Sequence, residues 1–284
     1  MTSVQHAHGQ AASQVRLAWG LSGALACTAR RGRQEQGRQE QGRQQGGDDG
    51  LAVVVDVLSF TTSVGLAVAG GTEVVPCPWR DERAADLARE HQAVPAVGRS
   101  ESAAGGVSLS PASVADAAAA GDLPARLLLP SPNGSTIATR LAEAGVQVWA
   151  ASLRTARAVA DALVPEVLGG REVTLVAAGE QWPDGSLRPA EEDLWGAGAV
   201  LAAVAAELGT GRFSPEALSA RATWVALGGR ADHAGHAAAL LHGCASGGEL
   251  VARGFGRDVD LAAQVDRDAV VPVLDRATGR FRRR

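Results

Sequence analysis

The sequence contains no lysine: all 27 of its basic residues are arginine. That excludes a Schiff-base lysine and a Walker A phosphate loop. Recognition of any oxyanion is left to arginine, backbone N–H groups and hydroxyls. Cysteine is scarce as well. Cys27, Cys77 and Cys244 show no C-x-x-C spacing, which fits a reducing compartment and gives no zinc-thiolate signature. No uninterrupted apolar run reaches the roughly 18 residues of a membrane span. The start, M-T-S-V-Q-H-A-H, lacks the charged-then-apolar layout of a secretory signal. No membrane partner and a cytoplasmic location are therefore expected. A basic face is missing too: the formal net charge is -4, which argues against nucleic acid as a partner.

What the 284 residues do contain is apolar material, 46% hydrophobic against 20% charged, enough to bury one large α/β unit or two smaller subdomains. Residues 1–50 read as a poorly ordered N-terminal segment. Within it Val15–Thr28 gives an edge strand and a turn, and the G-R-Q-E-Q repeat over residues 30–50 is an inserted low-complexity loop without apolar residues to pack. The main domain is expected over residues 51–275, followed by a loose basic tail, 276–284.

The chain is organised around Leu51–Gly71. Leu51–Val55 reads as a strand buried on both faces, because a half-buried strand would alternate. It stops at a carboxylate, Asp56. Ser59, Thr61 and Thr62 then suit a helix start, and Gly70 and Gly71 close the helix. A charged residue at the carboxyl end of a buried strand, facing the next helix, is where open α/β sheets place ligand sites. The pattern recurs after Leu127–Leu129: a turn carrying Asn133 and Gly134, two hydroxyls at Ser135 and Thr136, a helix closed by Gly145, and a strand over Val146–Ala150. The two turns would form one oxyanion cradle if their strands were neighbours in a parallel sheet. A plain turn with a capped helix accounts for the second turn equally well.

Further strands are expected over Glu73–Cys77, Val94–Val97 and Val173–Ala177, and Val270–Leu274 as a closing edge strand that tolerates Pro272. Acids stand at strand ends or helix starts: Asp56, Glu180, and the run Glu191, Glu192, Asp193. Oxygen donors without sulfur or clustered imidazole suit Mg2+ before zinc, although Glu191 and Glu192 also fit simple complementation of a helix dipole. Burying a lone carboxylate is costly, which favours a functional role for Asp56. His233, His236 and His242 read as solvated helix surface. No G-x-S-x-G elbow occurs, and the G-x-G at Gly196–Gly198 sits inside a helix, so neither a serine hydrolase nor a Rossmann site is indicated. The glycines and alanines of that helix allow close approach to a neighbour and leave a homodimer open.

D-V-L-S-F-T-T-S (56–63), S-L-S-P-A-S (108–113), P-N-G-S (132–135), A-A-G-E-Q-W-P-D-G-S-L-R-P-A-E-E-D-L-W-G-A-G-A (177–199) and V-V-P-V-L (270–274) together resemble the 2-phosphosulfolactate phosphatase family, in order along most of residues 51–275. The resemblance implies a three-layer α/β/α fold with a mostly parallel sheet. It also implies Mg2+-dependent hydrolysis of 2-phospho-3-sulfolactate, a step toward coenzyme M. Matching positions imply Asp56, Thr61, Thr62, Asn133, Gly134, Glu180, Glu192 and Asp193 as the site. Many family members carry Arg where Ser59 stands, and the G-R-Q-E-Q insertion also departs from the family pattern.

The expected assignment is therefore Asp56, Glu180 and Asp193 as catalytic residues, with Glu192 joining them as metal ligands. Ser59, Thr61, Thr62, Arg99, Asn133, Gly134, Ser135, Thr136 and Arg188 are expected to bind a small anionic phosphoester. The rival is a non-catalytic anion-binding or regulatory protein that kept the cleft.

Overall fold

Alternating buried strands and helices run through the computed structural model, which describes residues 8–28, 50–79, 81–98, 106–229 and 234–284. In chain order these are β1 (Val15–Trp19), α1 (Gly20–Thr28), β2 (Leu51–Val55), α2 (Phe60–Ala69), β3 (Glu73–Cys77), α3 (Glu82–His91), β4 (Val94–Pro95), α4 (Pro111–Ala120), β5 (Arg126–Pro130), α5 (Gly134–Glu143) and β6 (Gln147–Ala151). A short 3-10 turn, Leu153–Thr155, leads into α6 (Ala156–Leu168), followed by β7 (Val173–Ala177), β8 (Glu180–Gln181), β9 (Leu187–Arg188), α7 (Glu191–Leu208) and α8 (Pro215–Ala226). Three short helices, α9 (Ala234–Gly243), α10 (Ala245–Ala252) and α11 (Gly256–Ala262), precede β10 (Pro272–Asp275) and β11 (Arg280–Arg283).

Among the described residues nine strands form one sheet in the order β1-β7-β2-β6-β10-β11-β3-β5-β4, and β8 pairs with β9 in a separate hairpin. Five of the eight pairings in the large sheet are parallel, and each of the other three involves the β10–β11 hairpin. Such a sheet needs cover on both faces, and β2 shows how it is supplied. Leu51, Val53 and Val55 pack with α6, α7 and α8, whereas Ala52 and Val54 pack with α1, α2 and α5. The two-residue period of a strand thus feeds two cores. All five residues are fully buried, each valine contributing roughly 2 kcal/mol. The result is the expected three-layer α/β/α fold.

The small residues of α7 have a local explanation. A Cβ at Gly198 would lie 2.4 Å from the Ala220 carbonyl oxygen of α8, and one at Gly196 would lie 2.7 Å from Val55 and Val57. The stripe therefore seats α7 against its own sheet and its neighbouring helix.

Several expectations change. The stretch after β1 is helix α1 rather than a turn. Residues 276–284 are not a loose tail: Arg280–Arg283 is β11, and Phe281 is fully buried with its ring edge-on to Phe60, centroids 6.2 Å apart. One apolar residue among arginines is enough, because Arg282 and Arg283 stay exposed and the largely covered Arg280 pairs with Glu73 at 2.9 Å. The strand near Val270 lies inside the sheet, between β6 and β11, with Pro272 at its first position. Strands β2 and β5 are not neighbours, being separated by β6, β10, β11 and β3. The repeat over residues 30–50 falls outside the described residues except for Gly50. Among the described residues no helix is long and apolar enough to cross a membrane.

Candidate active site

The turn after β2 is fixed by its own hydroxyls. Thr61 Oγ1 donates to the Asp56 carbonyl (2.8 Å) and accepts from the Asp56 N–H (3.0 Å), while Thr62 Oγ1 donates to the Val57 carbonyl (2.7 Å). Both threonines are buried, so these groups build the turn. They also leave the Asp56 side chain aimed outward between two helices. Its Oδ1 accepts from the Phe60 N–H of α2 (3.2 Å) and its Oδ2 from the Gly134 N–H of α5 (2.9 Å). The two strand-end turns therefore do meet, across non-neighbouring strands, and the anion bridging them is the protein's own carboxylate. Helix N-termini favour negative charge at such a point. The approach demands glycine at 134: a Cβ there would lie 2.5 Å from Asp56 Oδ2 and 2.6 Å from the Phe60 ring.

Asp193, in the first turn of α7, makes the second tie. Its Oδ1 accepts from the Val57 N–H (2.7 Å) and its Oδ2 from the Gly179 N–H (2.9 Å), joining the ends of β2 and β7. Burial, then the charges of Asp56 and Glu192, hold its carboxyl well above the usual range. Glu180, at the start of the β8–β9 hairpin, accepts from Asn133 Nδ2 (2.8 Å). Its carboxyl is pushed up to about 7 by burial first and by the Asp56 charge second, with the Asn133 hydrogen bond opposing.

Asp56 and Glu180 open into one cavity of about 180 Å3, together with Ser59, Ser131 and Asn133. Its far wall is α10, which contributes Ser246, Glu249, Leu250 and Arg253. Asn133 and Glu180 also border a second space of about 220 Å3 that includes Thr136 and the start of α1. Glu192 and Arg188 line a third, of about 390 Å3, with Trp195 and Cys244. There Arg188 donates to Ser246 Oγ (3.2 Å) and stands over the Trp182 ring. Burial and then the nearby Glu192 raise the Cys244 thiol to about 12.

Of the residues singled out from sequence, Asp56, Ser59, Asn133 and Glu180 thus share a cavity, and Asp193 and Gly134 buttress it from behind. Ser135 is buried, with its hydroxyl placed to donate to either the Cys77 carbonyl (2.6 Å) or the Ser131 carbonyl. Thr136, Arg188 and Glu192 face adjoining spaces, and Arg99 lies outside the described residues. His242 pairs with Asp260 at 2.7 Å, partly exposed. Ser131, Ser246, Glu249 and Arg253 were not singled out. The i, i+3, i+7 spacing of the last three was a signal for one helix face, with nothing to say what that face meets.

Among the described residues no three Asp, Glu, His or Cys side chains are disposed to grip one metal ion. No curated protein matches the chain. Residues 38–277 of the 284 match the family model described as 2-phosphosulpholactate phosphatase, a span that takes in β2 to β10 and every wall of the Asp56 cavity. The chain therefore belongs to the 2-phosphosulpholactate phosphatase family, whose activity is that of a phosphoric monoester hydrolase.

Proposed function

We propose that this protein is a Mg2+-dependent phosphatase acting on a small phosphomonoester that carries a second acid, with 2-phospho-3-sulfolactate, hydrolysed to 3-sulfolactate and phosphate, as the leading substrate. The observation that carries this reading is the cavity shared by Asp56 and Glu180 beside the start of α5. At about 180 Å3 it has room for about six waters, which suits an ester of a few carbons.

The donor set fits magnesium. Mg2+ keeps several waters and takes one or two carboxylates plus phosphate oxygens, rather than an all-protein cage. The pair Asp56 and Glu180 supplies that number of acids. Burial first and the Asp56 charge second raise the Glu180 carboxyl, and a dication held by both acids would relieve the second of these. These two would hold the ion. When bound, it supplies neutralisation of the phosphoryl charge and polarisation of the ester. Glu192 and Asp193 act from the second rank in this reading: Asp193 ties β2 to β7 behind the cavity that Asp56 and Glu180 line, and Glu192 faces the neighbouring space.

The chain's other residues orient and enclose. The Asn133 amide holds one oxygen of Glu180, and the Gly134 N–H holds one of Asp56, so both acids are preset before substrate arrives. Ser59 and Ser131 line the same space and offer hydroxyls to phosphate oxygens. The direct test is phosphate release from a panel of phosphomonoesters, with Mg2+ and with chelator, by wild type and Asp56→Asn. Release that needs Mg2+ and drops by about 100-fold or more in the variant is expected. Equal rates in the two proteins would remove Asp56 from the mechanism.

A further inference from the structure

We propose that Arg253 is the specificity-determining cation of this cavity: it holds the substrate's second anionic group, a carboxylate or sulfonate, while the phosphoryl group lies at Asp56 and Glu180. This rests on the phosphoester reading above and adds to it the side chain that selects an acidic substrate.

The cavity's charge balance motivates it. Three carboxylates, Asp56, Glu180 and Glu249, reach this space, and a phosphoester bearing another acid brings more negative charge. Among the described residues that line it, Arg253 is the one cation. The other sources of positive potential are already engaged. The N–H groups of Phe60 and Gly134, at the two helix starts, go to Asp56. The Arg188 guanidinium lies on Ser246 and over Trp182, lining the neighbouring space.

Geometry and chemistry also suit the role. Ser246, Glu249, Leu250 and Arg253 stand at i, i+3, i+4 and i+7, so α10 and its C-cap lay one face along the cavity, across from the strand ends that carry the acids. Arg253 sits at the C-cap of that helix. Its Nη1 meets Glu249 Oε1 at 3.1 Å, with both side chains about 60% exposed (59% and 61%). Exposed pairs of this spacing are weak, so an arriving anion can displace Glu249. A guanidinium offers two parallel N–H donors to a carboxylate or sulfonate and keeps its charge at every working pH. Glu249 would then be the resting partner that keeps the arginine at the cavity mouth.

The test compares two esters of similar size with the full-length protein and Mg2+: phosphoglycolate, which carries a carboxylate, and glycerol 2-phosphate, which has no second acid. Wild type is expected to favour phosphoglycolate. In Arg253→Ala that preference should shrink by about 10- to 100-fold, mainly through KM for phosphoglycolate, as expected for loss of one charge-assisted contact. Arg253→Lys should retain part of the preference, and Glu249→Gln should lower KM for phosphoglycolate. An unchanged preference in Arg253→Ala, or an equal loss on both esters, overturns the proposal. If wild type releases phosphate from neither ester, the phosphatase reading fails on its own, and titration with sulfoacetate decides the arginine. Binding by wild type that is lost in Arg253→Ala supports it; equal binding by both, or none by wild type, overturns it.

Discussion

At the floor of the candidate site, Asp56 and Asp193 are buried, and every one of their four carboxylate oxygens accepts a backbone N–H. Along the wall formed by α10, Glu249 and Arg253 are mostly exposed and meet each other. Main-chain donors cannot be exchanged by substitution, so the floor is held by the fold itself. The wall consists of side chains that can change at little cost in stability. In the proposed reading, one region fixes where phosphoryl chemistry occurs, and the other selects which ester is admitted.

Substitutions can break or sharpen this contrast. Asp193→Ala strands the Val57 and Gly179 N–H groups and should cost about 4 kcal/mol in urea unfolding, since each buried donor left unpaired costs about 1–3 kcal/mol. A loss below about 1 kcal/mol would mean the floor is not held this way. Next is a pH effect. Folding raises the Glu180 carboxyl from 4.5 to about 7, so between those values the folded chain binds the extra proton. The Glu180 contribution to stability should be greatest below about pH 4.5 and shrink by about 3 kcal/mol as pH rises to 7, read in chelator as the difference between wild type and Glu180→Gln. Gly134→Ala should cut kcat/KM by about 100-fold, because its methyl group, 2.5 Å from Asp56 Oδ2, would displace Asp56 or α5, and a misplacement approaching about 1 Å costs that much. Smallest is Glu249→Ala, expected within about 0.5 kcal/mol of wild type in thermal unfolding, as for other exposed pairs. A larger change there would show that the wall is structural after all.

Much of the fold was legible. Contiguous apolar runs such as Leu51–Val55, Glu73–Cys77 and Val173–Ala177 became strands at the residues expected, because a strand covered on both faces carries its signal in every position. The tail strand was not, since Arg280–Arg283 carries three arginines, two of them exposed, for its one buried phenylalanine. The sheet order could not be read at all. It places the turns after β2 and β5 together although four strands intervene, and that depends on long-range pairing rather than local pattern. Within the site, the acids at strand ends stood out because a carboxylate beside an all-apolar run is costly to bury. The hydroxyls of Thr61, Thr62 and Ser135 stood out as well, but they serve the backbone. Arg253 was hidden among 27 arginines, since only the docking of α10 distinguishes it.

The β10–β11 hairpin bridges β6 and β3, and thereby the two parallel blocks of the sheet. Because both of its strands follow every other described strand in chain order, synthesis must pass them before that seam can be sewn. Until then a nascent polypeptide would carry two open sheet borders, the situation in which growing chains invite mispairing and chaperone attention. Removing this hairpin would therefore act on assembly of the whole sheet, far from its own residues.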